Sequence, residues 1–224
     1  MNFLAELRDA PWKHFDTIDS TNRFLAELGK EDLVQGFTCT ATVQTHGKGR
    51  GIRKWVSPAG GIYMSILLKP DAPVSRWHMI SLVMACAAAE SIEAFHPDIR
   101  ITLKWPNDVL ANGRKCAGIL VQSHSGNSPR LIVGIGVNAA IRPELLPERP
   151  LFPATVLNIE SRYPPAINRL AQSIRERFFE FYLQWLTCPA SIVSCWNNRC
   201  AVTGTRVRIE AENGSIHGFV RGLS

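Results

Sequence analysis

Apolar positions along this chain change period several times, and each change marks an element. Apolar residues at helical spacing over 23–28, between the capping run Asp19-Ser20-Thr21-Asn22 and Gly29, predict a short helix. Residues 37–44, rich in Thr and Val, read as a strand. Residues 61–68 read as a second, buried strand that stops at Lys69-Pro70. The alanine-rich stretch 81–95 predicts a packed helix ended by His96-Pro97. Residues 100–105 and 117–122 look like the two strands of one hairpin turning at Asn112-Gly113. A further strand is expected over 130–138, where Gly134 and Gly136 imply that something approaches the backbone closely. Ile167, Leu170, Ile174, Phe178, Phe181 and Trp185 recur at spacings of three and four, one face of an amphipathic helix over 166–185.

Residues 141–153 hold four prolines and no periodicity, which predicts a loop. Near the C-terminus, 205–209 and 216–220 read as two short strands around Asn213-Gly214. The expected fold class is α/β (α+β), a mixed or antiparallel sheet flanked by helices, without the regular strand–helix alternation of a doubly wound fold.

Composition narrows this only a little. A chain of 224 residues, 46% hydrophobic and 20% charged, can bury one substantial core with a small appendage. The net charge of +6 suits a polyanionic ligand, an acidic partner or nucleic acid, and does not choose among them. Six cysteines include no Cys-x-x-Cys pair, and the six histidines show no ligand spacing, so reduced thiols are expected. The N-terminus lacks the apolar core of a signal peptide, and the apolar run 82–89 is cut by Glu90 short of bilayer length. A cytoplasmic protein follows from these features.

The candidate chemistry lies in Gly47-Lys48-Gly49-Arg50-Gly51-Ile52-Arg53-Lys54-Trp55, where four cations fall within seven residues among three glycines. Such a loop is able to close over an anion and exclude water. It matches neither the Walker loop, which needs a hydroxyl after the lysine, nor the dinucleotide fingerprint, which needs a wider glycine spacing. Taken alone, it also fits a solvated basic hairpin or a nucleic-acid patch. Nucleic-acid binding further needs stacking aromatics or a recognition helix, and the pattern offers neither.

Further motifs stand in register with this loop. They are Ser20-Thr21-Asn22, Lys104-Trp105-Pro106-Asn107-Asp108, Arg114-Lys115-Cys116-Ala117-Gly118 and Gly134-Ile135-Gly136-Val137-Asn138. With them the chain closely resembles biotin protein ligases, in matching order from about residue 16 to residue 138. The resemblance implies a class II aminoacyl-tRNA synthetase-like catalytic domain over 1–187. It also implies a linker and a short, incomplete SH3-like segment over 188–224. It implies an enzyme that activates biotin with ATP to biotinyl-5′-AMP and transfers the acyl group to a lysine of the biotin carboxyl carrier protein of acetyl-CoA carboxylase. Lipoate-protein ligase activity is the competing reading.

By the same resemblance, Lys115 and Arg50 are the catalytic pair. Ser20, Thr21, Asn22, Gln44, Gly47, Lys48, Gly49, Arg50, Lys115 and Gly118 bind biotin. Lys48, Arg50, Arg53, Trp55, Lys104, Asn107, Asp108 and Asn138 bind ATP, with Asp108 also a ligand of Mg²⁺. No tightly bound cofactor and no membrane association are implied, while homodimerisation through sheet edges is. No segment of winged-helix type precedes the matching region, so a monofunctional ligase without DNA binding is expected. Lys48 stands where the family often has arginine, and lysine keeps the charge without the bidentate geometry.

Overall fold

Alternation along the strands gives the central sheet two unequal faces, and the unequal burial positions the site. The computed structural model describes residues 3–125, 128–146, 153–211 and 214–224. Its elements, in order, are α1 (Phe3–Asp9), β1 (Trp12–Ile18), α2 (Thr21–Ala26), β2 (Thr38–Gln44), β3 (Ile62–Leu68), α3 (Ile80–Phe95), β4 (Ile101–Lys104), β5 (Asp108–Ala111), β6 (Arg114–His124) and β7 (Arg130–Val137). After these come α4 (Leu157–Glu160), α5 (Ile167–Thr187), α6 (Pro189–Asn197), β8 (Arg206–Ala211) and β9 (Gly214–Phe219). Among the described residues β1–β7 form one sheet in the order β1-β2-β3-β7-β6-β5-β4, and β8–β9 pair separately. The large sheet is mixed: β1 runs parallel to β2, and every other neighbouring pair is antiparallel.

One face carries the main core. Ile62, Met64, Ile66 and Leu68 of β3, Ile119 of β6 and Val133, Ile135 and Val137 of β7 pack there with α3 and α5. Residues 74–95 form a helical run long and apolar enough to cross a membrane, but its α3 part packs in this core, with Val83, Met84, Cys86 and Ile92 fully buried. Residues of the intervening register face the other way. There Leu25 of α2 meets Leu33, Cys39, Leu67 and Ile132 in a smaller cluster that covers only part of the sheet. What stays uncovered is glycine. Across the sheet Tyr63 faces Gly136, Gly136 faces Gly118, and Gly118 faces Asp108, while Ser65 and Leu120 flank Gly134 in the next row.

The segment 100–122 folds as three strands rather than the single hairpin expected. Asn112-Gly113 does make a turn, with both residues at positive φ, but it joins β5 to β6; the added strand β5 returns from a turn at Trp105-Pro106-Asn107, whose Trp105–Pro106 bond is cis. The stretch 188–224, expected as a linker and an incomplete SH3-like segment, opens with α6, whose Ile192 and Trp196 are buried in the main core. The expected tail strands pair as β8 and β9; Asn213 of their turn and part of the 141–153 loop lie outside the described residues.

Candidate active site

The glycine row forms the floor of a cavity of about 140 Å³ on the partly covered face. Trp55 lies across that floor. A Cβ on Gly136 would fall 2.3 Å from Trp55 Nε1, and one on Gly118 would fall 2.9 Å from Trp55 Cζ3, so only glycines let the indole sit so low. The basic loop carries Trp55 in by folding back on itself. Gln44 bridges to Ser57 and Lys48 to Lys54, Gly49 N donates to Arg53 O at 2.8 Å, and Trp55 N donates to Gly47 O at 2.9 Å. Gly51, at φ +62°, turns the tip, where Ile52 is fully exposed.

The inner end of the cavity is polar and tightly tied. Ser20 caps α2, its Oγ accepting from Arg23 N at 3.4 Å. That places Thr21 and Asn22, both buried, against β3 and β7. Gln44 Oε1 accepts from Thr21 N at 2.9 Å, and Gln44 Nε2 donates to Ser57 Oγ at 3.0 Å. A Cβ on Gly134 would come within 2.1 Å of Asn22 Oδ1, so this glycine too is set by a neighbour's approach.

The outer end is charged. Lys48, Arg50, Arg53, Lys54, Lys104 and Lys115 line it, with Asp108 the one carboxylate among the described lining residues. Lys115 Nζ lies 2.5 Å from Asp108 Oδ1 and 5.2 Å from the centre of the Trp55 ring. Both partners of this ion pair are largely buried, at 11% and 17% side-chain exposure. Lys115 is held by its backbone as well, since its N donates to Pro153 O and its O accepts from Thr155 N. Arg50 Nη1 reaches from the loop to Asn107 Oδ1 at 3.5 Å, and Asn107 Nδ2 donates to Ile119 O at 2.8 Å.

Of the residues singled out from sequence, Ser20, Thr21, Asn22, Gln44, Lys48, Gly49, Arg50, Arg53, Trp55, Lys104, Asn107, Asp108, Lys115 and Gly118 all line this one cavity. Gly47 does not; it packs against the Trp55 backbone, with a Cβ there only 2.3 Å from Trp55 O. Asn138 lies beyond the cavity wall, in a small side pocket shared with Lys54, Trp55 and Lys115, where its Nδ2 donates to Thr155 O at 3.0 Å. Sequence reasoning gave no site role to Trp105 and Pro106, which form one rim, or to Ile135 in the wall. It also missed Ser65 and Gln122, which lie behind Thr21 and Asn22.

A cavity with a hydrogen-bonding inner end, an aromatic wall and six cations around one carboxylate is built to hold a small polar molecule against a polyanion. Comparison with known proteins gives that class a family. The biotin/lipoate A/B protein ligase family matches residues 14–138. The bifunctional ligase/repressor BirA of Bacillus spizizenii is 32% identical over 214 residues, 93% of this chain and 65% of that protein. The biotin--[acetyl-CoA-carboxylase] ligase of Mycobacterium tuberculosis is 31% identical over 221 residues, 95% of this chain and 80% of that protein. Among solved structures, the biotin protein ligase from Aquifex aeolicus in complex with biotin and ATP superimposes with a TM-score of 0.83 at 29% identity, covering 96% of this chain and 88% of that one. This chain spans 65% and 66% of the lengths of the two Bacillus relatives it matches. The chain belongs to the biotin/lipoate A/B protein ligase family.

Proposed function

We propose that this chain activates biotin with ATP and transfers it to a lysine of a biotin carboxyl carrier protein, in a cytoplasmic setting for which six free cysteines speak. The observation that carries the reading is the convergence of the basic loop and Lys115 on one cavity, whose other end is lined by Thr21, Asn22 and Gln44. In the reaction, an oxygen of the biotin carboxylate attacks the α-phosphorus of ATP. The bond from that phosphorus to the bridging oxygen breaks, and pyrophosphate leaves. The carrier amine then attacks the acyl carbon and AMP departs. Two anions must meet in the first step, so the barrier is lowered mainly by fixed positive charge and by positioning.

In this reading Lys115 stands at the meeting point, held toward the cavity by Asp108 at 2.5 Å and by the Trp55 face. Arg50 and Lys48 close from the loop, and Lys104, Asn107 and Arg53 take the phosphates at the outer end. The folded loop shields the mixed anhydride from water. Asn138 contributes through the side pocket beside Trp55. Mg²⁺ arrives with ATP as the counter-ion of the triphosphate. Among the described residues Asp108 is the sole carboxylate lining the cavity, its Oδ1 is already paired with Lys115, and no group of three His, Cys, Asp or Glu able to cage a metal occurs. These side chains therefore do not build a resident magnesium site.

The test is pyrophosphate release with ATP, Mg²⁺ and either biotin or lipoate. Release with biotin, and none above background with lipoate, is the expected result. Release with lipoate alone would overturn the assignment.

A further inference from the structure

Ser65 lies in the middle of β3, fully buried, and does not itself line the cavity among the described residues. It joins two side chains that do. Ser65 Oγ lies 2.7 Å from Thr21 Oγ1 and donates to Asn22 Oδ1 at 2.6 Å. Asn22 Nδ2 in turn donates to Gln122 Oε1 at 2.8 Å. A hydroxyl carries one hydrogen, and an amide oxygen only accepts. Ser65 gives its hydrogen to Asn22, so the short contact with Thr21 requires Thr21 Oγ1 as its donor. The hydrogen bonds therefore run one way, from Thr21 through Ser65 and Asn22 to Gln122. With its hydrogen turned inward, the Thr21 hydroxyl has only lone pairs left for the cavity. Gln44 Oε1, which only accepts, lies 3.1 Å from Thr21 Oγ1 and competes for the same hydrogen over a longer distance than the 2.7 Å to Ser65.

We infer that Ser65 is a specificity-determining positioning residue: by taking the hydrogen of Thr21, it makes the inner end of the cavity an acceptor that demands an N–H on the ring of the bound acid. The inference rests on the biotin reading above and deepens it. The cyclic urea of biotin presents two ring N–H groups, whereas a dithiolane ring presents none. Replacing a ring N–H by oxygen sets acceptor against acceptor. A site whose buried hydrogen-bonding group is left without its partner rejects such an analogue by orders of magnitude.

The test titrates biotin and its two cyclic-carbamate analogues, each with one ring N–H replaced by oxygen, into wild type, Ser65→Ala and Ser65→Thr, followed by calorimetry. Wild type is expected to reject at least one carbamate by about a hundredfold or more relative to biotin. In Ser65→Ala the Thr21 hydrogen keeps only the longer, 3.1 Å contact with Gln44 Oε1 and is able to turn toward the cavity instead. Biotin binding should weaken by about tenfold and the discrimination should shrink below about tenfold. The KM for ATP should stay at its wild-type value, and Ser65→Thr, which keeps the hydroxyl, should restore both biotin affinity and discrimination. A merely structural role would not move the ratio between two ligands of one shape. Ser65→Cys, of similar volume but weak as donor and acceptor, carries the same expectation and serves should the alanine variant fail to fold. An unchanged ratio in these variants, or a wild type that binds both carbamates as tightly as biotin, would overturn the inference alone. A wild type that binds no biotin would remove the ligase reading and this inference with it.

Discussion

Gly136→Ala places a methyl group where the Trp55 indole now rests. The added Cβ would lie 2.3 Å from Nε1, 2.6 Å from Cε2 and 3.0 Å from Cδ1 of that ring. Ordinary contact begins at 3.4 Å, so the indole must move by 3.4 − 2.3 = 1.1 Å. The ring must shift, and it takes the basic loop with it through the Trp55 N to Gly47 O and Ser57 Oγ to Trp55 O bonds. Overpacking of this kind costs about 1–3 kcal/mol, and for a domain this size each kcal/mol lowers Tm by about 2–4 °C. The effect on chemistry should be larger, because a misplacement of about 1 Å is worth about a hundredfold in rate. Pyrophosphate release and thermal melting, measured together, separate the two effects. Gly204→Ala is the control: its φ is +75°, unlike that of Gly136, nothing lies within 4 Å of its Cβ, and the residue does not line the cavity. It should cost about 1–2 kcal/mol of strain and leave turnover near the wild-type rate. If Gly136→Ala turned over within about threefold of wild type, the indole would not be the part that sets the loop, and the reasoning would fail.

Lys115→Ala should lower adenylate formation by about 10²- to 10⁴-fold while the protein still melts cooperatively; a variant that simply unfolds would assign Lys115 to structure instead. Lys48→Arg, which adds bidentate geometry on the loop, should slow the release of biotinyl-AMP in a chase experiment, and equal off-rates would exclude a role for that geometry. Burial holds His96 below its ordinary 6.5, against Asp98 and a backbone contact at Tyr163 that favour the charged ring. The unfolded chain therefore binds the extra proton first, so the stability this site supports is intact above pH 6.5 and is lost as pH falls toward the folded value. Melting at pH 7.5 and pH 5 should show a smaller acid loss for His96→Leu than for wild type, and equal losses would place the acid sensitivity elsewhere.

The elements that were legible in the sequence are those whose pattern is complete within themselves. β3 is buried along all seven residues and α5 repeats its apolar face for 21, so each announces itself without its neighbours. The strands that escaped lean on context. β1 is an edge strand largely exposed along its length, so Trp12, Lys13, His14 and Phe15 show no alternation. β5 is four residues long and begins directly after a Pro-Asn turn, so its first residues read as part of that turn. In α6 only Ile192 and Trp196 are buried, too few to set a period.

The site divides along the same line. Its outer end works by charge, and the charges sit together in sequence because one loop must deliver them: Lys48, Arg50, Arg53 and Lys54 fall within seven residues. Its inner end works by direction, and direction is assembled across the sheet. Ser65 is the one serine in an apolar strand and Gln122 an ordinary polar residue near a strand end; neither means anything until Thr21 and Asn22 are brought between them from positions 44 and 100 residues away. The glycines stand between these cases. Gly134 and Gly136 signal in the sequence that something must come close, but only the fold says that the visitors are Asn22 and Trp55 rather than a ligand. Since both visitors line the cavity, the close approach is not incidental: the absent side chains of β6 and β7 give the polar end its depth and the aromatic wall its position, and the basic loop takes its position from that wall.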